Sequence, residues 1–177
     1  RQRERVRLAD EREVREERLR LLLENFSRLH GDKNSQARGY AFEKVLADLF
    51  RVYELESQGS YKTETDQVDG AVHFEAFTYL VEARWRSLPA VEADLAILVG
   101  KVRRRIESTR GIFISMAGFR PEVVQMYELS HEQRLIFVDG QDIALILEGR
   151  VELPDALRAK ILSASVKGQP YLPLRDL

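Results

Sequence analysis

The 177-residue chain contains no cysteine, which removes disulfides and thiolate metal centres from consideration. No apolar run approaches the roughly 18 residues of a membrane span, and the opening RQRERVRLAD lacks the pattern of a secretion signal. The three histidines, His30, His73 and His131, are scattered without HxxxH-like spacing, so a histidine-held metal has no support. Walker-type phosphate loops, GxGxxG and GxSxG elbows are also missing, and with them the motifs for nucleotide-cofactor and serine-hydrolase chemistry. Nor is there an excess of one charge: 28 Lys and Arg stand against 29 Asp and Glu, so any nucleic-acid surface must be local. What the chain does have is 44% hydrophobic residues, enough for one domain-sized core, and 32% charged ones. The expectation is a soluble cytoplasmic protein. Because the sequence begins without Met, it is expected to be part of something longer.

The charge is concentrated at the start. RQRERVRLADEREVREERLRLLLENFSRLH has no Gly or Pro and many good helix formers, with Glu11 to Arg15 and Glu16 to Arg20 as favourable i,i+4 pairs. It reads as a long exposed helix. Leu19, Leu22, Phe26 and Leu29 keep a 3,4,3 spacing that fits either of two roles. One is a solvated helix docking its last turns on the domain; the other is the end of a dimerising coiled coil. GDKNSQARG, residues 31–39, is a linker by composition. The chain thus divides into an arm and linker, residues 1–35, and a domain, residues 36–177.

In the domain, Phe42, Val45, Leu46, Leu49 and Phe50 form an apolar helical stripe with Glu43 at its edge. Strands are expected over 70–74 and 77–85. A helix follows over 90–107, with the apolar face Val91, Leu95, Leu98, Val99, Val102 and Ile106. Beyond it come a strand at 111–115, a helix at 121–129 with Pro at its first position, a strand at 134–140, and helices at 141–147 and 154–165. A hairpin followed by strands separated by helices implies a three-layer α/β/α domain with a mixed central sheet.

The stretch VDGAVHFEAFTYLVEARW holds the chemistry. Residues two apart on a strand share a face, so Glu82 and Arg84 project together, and a hairpin brings Asp69 beside them. Asp69, Glu82 and the main-chain carbonyl of Ala83 make an all-oxygen set of the kind that Mg²⁺ or Mn²⁺ prefers. Glu43 could add an outer carboxylate.

These motifs, GYAFEKVLADLF, QVDG, YLVEARW, GIFISMAGF and LIFVDGQDIALIL, resemble the PD-(D/E)XK nuclease superfamily in its Mrr-like restriction endonuclease branch, over residues 40–147. The resemblance implies a restriction-endonuclease-like fold and Mg²⁺-dependent hydrolysis of DNA phosphodiesters. It casts Asp69 and Glu82 as metal ligands and Glu43 as the helix acid, while Gln67 would orient a water or a phosphate. Two positions depart from the pattern: Val68 replaces a proline, and Arg84 stands where the family has a lysine. The second matters, because a guanidinium stays charged and can orient a water or neutralise a phosphate but not handle protons.

In KVRRR, Lys101 and Arg105 share one flank of the helix and are candidates for DNA contact, while Arg104 points away. Lys101 could also bring an amine from outside the strand. Arg120, at a helix start, could touch a phosphate, and Trp85 reads as a packing residue. The reading is a metal-dependent DNA endonuclease related to restriction or defence, with a homodimer supplying two sites and the N-terminal helix a route to it or to a partner protein. Two alternatives stand beside it: a nuclease fold that binds or senses nucleic acid without cutting, and an assembly scaffold acting through the N-terminal helix.

Overall fold

Helix α1 (Gln2–Leu29) combines strong helix formers with alternating charge. Its ion pairs run Arg7 to Glu11 and Arg12 to Glu16, while Arg15 leaves the helix to meet Glu152 at 3.1 Å. The two pairs expected from sequence do not form: Arg15 goes to Glu152, and Arg20 pairs with Glu17 and Glu24, because a long arginine reaches any carboxylate about one turn away. Leu19, Leu22 and Phe26 are buried in the main core, so the leucine stripe packs on the chain's own domain. The computed structural model describes residues 2–130 and 134–177, and His131 lies outside them.

The expected linker is short. Helix α2 (Ser35–Val52) starts inside it, with the Asn34 side chain accepting the N–H groups of Gln36 and Ala37. Two short antiparallel pairs then form: β1 (Ser57–Gln58) on β4 (Gly70–Phe74), and β2 (Tyr61–Lys62) on β3 (Gln67–Val68). These small strands were hidden in what read as a polar connection. The hairpin of β4 and β5 (Phe77–Arg84) follows as expected. Next come α3 (Glu92–Arg103), β6 (Thr109–Ser115), α4 (Pro121–Glu128), β7 (Leu135–Asp139), α5 (Gly140–Leu147) and α6 (Leu153–Lys167). Helix α3 ends before Ile106, which is exposed, and Val91 caps the helix instead of packing beneath it.

The five-stranded sheet has the order β1-β4-β5-β6-β7, antiparallel through β5 and parallel from β5 to β7. Alternate residues serve its two faces. Tyr79, Val81, Ile112, Ile114, Ile136 and Val138 meet residues of α1, α2, α5 and α6 in one apolar cluster. Leu80, Phe113, Leu135 and Phe137 meet residues of α3 and α4 in the other. This is the mixed three-layer α/β/α arrangement. Gly111 allows the second layer to sit close: a Cβ there would lie 2.4 Å from Leu135 Cδ2 and 3.0 Å from Leu98 Cδ2.

Beneath the first layer lies a buried polar network. Lys160 Nζ donates to Asp142 Oδ2 (2.6 Å), Phe137 O (3.0 Å) and Leu172 O (2.6 Å). Asp142 also accepts the Leu174 N–H, and Asp139 accepts from Tyr171 and Arg175, so residues 170–175 lie against β7. No described helix is long and apolar enough to cross a membrane.

Candidate active site

The site forms where the hairpin meets the first parallel strand. Gly70 pairs with Val81, which sets Asp69 opposite Glu82, and Asp69 Oδ2 accepts the Ala83 N–H at 3.0 Å. Glu82 sits on the central strand β5, flanked by β4 and β6, and is 2% exposed. A carboxylate so placed needs partners. Arg84 Nη2 donates to one of its oxygens, and Lys101 Nζ, from α3, lies 2.5 Å from the other. Arg84 Nη1 also reaches Ala83 O (3.1 Å) and Asp69 Oδ2 (3.4 Å). The convergence expected of Asp69, Glu82 and Arg84 is therefore present.

A pocket of about 550 Å³ opens over this group. Glu43, Gln67, Asp69, Glu82, Ala83, Arg84 and Lys101 all line it, and the start of α2 contributes Ser35, Gln36, Gly39 and Tyr40. Burial, followed by the charges of Asp69 and then Glu82, pushes the Glu43 carboxyl up to about 7. Burial and the Glu82 charge likewise raise Asp69, against the Ala83 N–H, Arg84 and Lys101. Three crowded carboxyls thus share one wall of the pocket with two cations.

The remaining sequence candidates are dispersed. Arg105 is held by Asp66 at 3.0 Å, and Arg104 shares the same carboxylate, since both lie beyond the last residue of α3 and escape its wheel geometry. Hydrogen bonds from Arg104 and then Arg105 pull Asp66 down to about 2. This clasp ties the turn before Gln67 to the end of α3. Arg120 caps α4, 3.8 Å from Glu122, and does not line the pocket. Trp85 packs among Phe26, His30 and Phe42, as a structural residue would. Sequence reasoning missed Asp66, which carried no signal, and the pocket wall at Ser35 and Gln36. Asn34 immediately before them was a readable helix cap.

The donor chemistry fits a hard divalent ion: two carboxylates, a main-chain carbonyl and a third carboxyl nearby, with crowding that a cation would relieve. Among the described residues, no group of three or more side-chain ligands closes to coordinating distance. Glu82 and Ala83 O are engaged by Arg84 and Lys101, so ligation requires Arg84 to give way.

A family described as restriction endonuclease, Mrr_cat, matches residues 35–147. No curated protein matches the sequence. Among solved structures, the small subunit of the heterodimeric restriction endonuclease R.BspD6I superposes with a TM-score of 0.55 at 14% identity, covering 83% of this chain and 89% of that one. The MspJI restriction endonuclease in complex with a 27-mer oligonucleotide gives a TM-score of 0.45 at 16% identity, over 86% of this chain and 36% of that one. The DNA modification-dependent restriction endonuclease AspBHI gives 0.46 at 14% identity, over 84% and 40%.

Proposed function

We propose, on the premise that the chain belongs to the Mrr-type restriction endonuclease family of the PD-(D/E)XK superfamily, that it hydrolyses DNA phosphodiesters at this pocket in restriction or defence. The observation that carries the reading is the joining of Asp69, Glu82, Ala83 O and Glu43 at one pocket wall, with cations from two different elements. Asp69, Glu82 and the Ala83 carbonyl would hold Mg²⁺ or Mn²⁺. Such an ion, when bound, supplies an activated water and neutralises charge on a phosphoryl oxygen.

The chain's own groups do the rest. Asp69 lines the pocket and is fixed by the Ala83 N–H, so it has little freedom to lose on ligation. Gln67 sits at the rim, where an amide can orient a water or a phosphate oxygen. Arg84 places a permanent positive charge beside the reacting phosphorus, where negative charge develops on the non-bridging oxygens. In the hydrolysis the water oxygen bonds to phosphorus and the bridging P–O bond breaks; one of the water's protons ends on the departing oxygen and the other leaves the new phosphate to solvent. Cutting both strands needs two such sites, and a second copy of the chain would bring the other, with the exposed first half of α1 available for the contact.

One observation favours a second reading. Arg84 closes over Glu82, Ala83 O and Asp69, which suits a domain that binds DNA and no longer cuts it. Cleavage of supercoiled plasmid with Mg²⁺ or Mn²⁺ separates the two. The nuclease reading expects nicking or linearisation that falls by about 100-fold or more in Asp69→Ala. Binding by folded protein with no cleavage in either metal supports the second.

A further inference from the structure

We infer that Lys101 is the amine of this active site, delivered by helix α3 in place of a lysine at strand position 84, and that it donates hydrogen bonds to the attacking water and the scissile phosphodiester. The inference rests on the nuclease reading and assigns a residue to it.

Delivery follows from packing. Leu98 settles against Gly111, where the absent side chain lets α3 approach β6 closely, and Lys101 follows one turn later on the same buried face. Its neighbours on that face, Leu95, Leu98 and Val102, are apolar, and a residue chosen for packing alone would be apolar too. Lys101 is only 7% exposed, so an ammonium stands where desolvation opposes it. Neutralising Glu82 does not explain it, since Arg84 already meets that carboxylate. Arg84 is shared between Glu82 and Asp69, and Lys101 meets the other Glu82 oxygen from a different element.

The two cations differ in what they can still do. Arg84 is engaged by three protein acceptors, Glu82, Ala83 O and Asp69. Lys101 gives one N–H to Glu82 at 2.5 Å, and an ammonium carries three donors, so the others can serve groups entering the pocket that Lys101 lines. Its burial also sets it apart from a peripheral contact that follows the DNA backbone. In this role Lys101 donates hydrogen bonds and transfers no proton. It holds Glu82 in place and orients the water whose oxygen bonds to phosphorus as the bridging P–O bond breaks.

The test uses the unmodified protein, Lys101→Met, and Lys101→Met combined with Arg84→Lys. Each is measured for plasmid cleavage rate, for DNA affinity in EDTA, and for melting temperature. Lys101→Met should slow cleavage by about 100-fold while DNA affinity changes by less than about threefold. Restoring an amine on the strand in the double variant should recover at least about tenfold of that loss, which a purely structural role for Lys101 does not predict. Cleavage by Lys101→Met within about threefold of the unmodified protein overturns the inference alone. So does a loss of affinity that matches the loss of rate, or a double variant no faster than the single one. An unmodified protein that never cleaves removes the nuclease reading, and the inference with it.

Discussion

Replacing Glu43 by Gln should change how the stability of the metal-free protein depends on pH. The ordinary value for this carboxyl is 4.5, and in the folded chain burial and the charges of Asp69 and Glu82 carry it to about 7. The shift is upward, so the stability associated with the protonated group is fully present below about 4.5 and is lost as pH rises through about 7. In that window the unfolded chain has released the proton and the folded one still holds it, which draws the equilibrium toward unfolding as pH increases. A shift of this size at a fully buried site would be worth about 3 kcal/mol, but Glu43 is only half-buried, and solvent screening reduces the effect to about 1 kcal/mol. Gln keeps the shape and cannot ionise. Urea unfolding in EDTA, from about pH 5 to pH 8, should show the unmodified protein losing about 1 kcal/mol more than Glu43→Gln. Parallel pH profiles for the two proteins would refute the crowding argument.

Two further outcomes follow from packing. Lys160→Met leaves Asp142 buried without its cation and should cost about 3–5 kcal/mol in urea unfolding; a loss below about 1 kcal/mol would show that the pair is not desolvated as described. Phe26→Ala removes a buried ring that lies 5.4 Å from the Trp85 ring and should cost about 3–4 kcal/mol. Trp85 is the single tryptophan, so its emission should shift to the red as the end of α1 loosens, and unchanged emission would contradict that contact.

The hairpin and its charged cluster were legible because a strand has only a two-residue period: once Glu82 and Arg84 share a face, a tight turn leaves few places for Asp69. The layer order was legible from alternating helix and strand patterns. Where apolar periodicity is absent, the reading failed. Strands β1 to β3 are two residues long, too short to show a period, and the first turn of α2 is polar enough to pass for a linker despite its Asn34 cap. Contacts set by how a helix crosses a sheet were also out of reach. Lys101 meeting Glu82, Asp66 clasping Arg104 and Arg105, and Lys160 meeting Asp142 join residues 18 to 39 positions apart, and no local pattern encodes such a distance.

The segment lying along β7 also bears on how copies of this protein can meet. A sheet ordinarily offers unpaired N–H and C=O groups along its two outermost strands, which invite another chain to add itself as a further strand. Here one outer strand, β1, is two residues long. On the other, Phe137 N already donates to Pro170 O, and Tyr171 bridges the same residue. Strand-by-strand growth into aggregates is therefore hindered at both ends, which favours self-association through the helical surfaces, where side chains rather than backbone decide the partner.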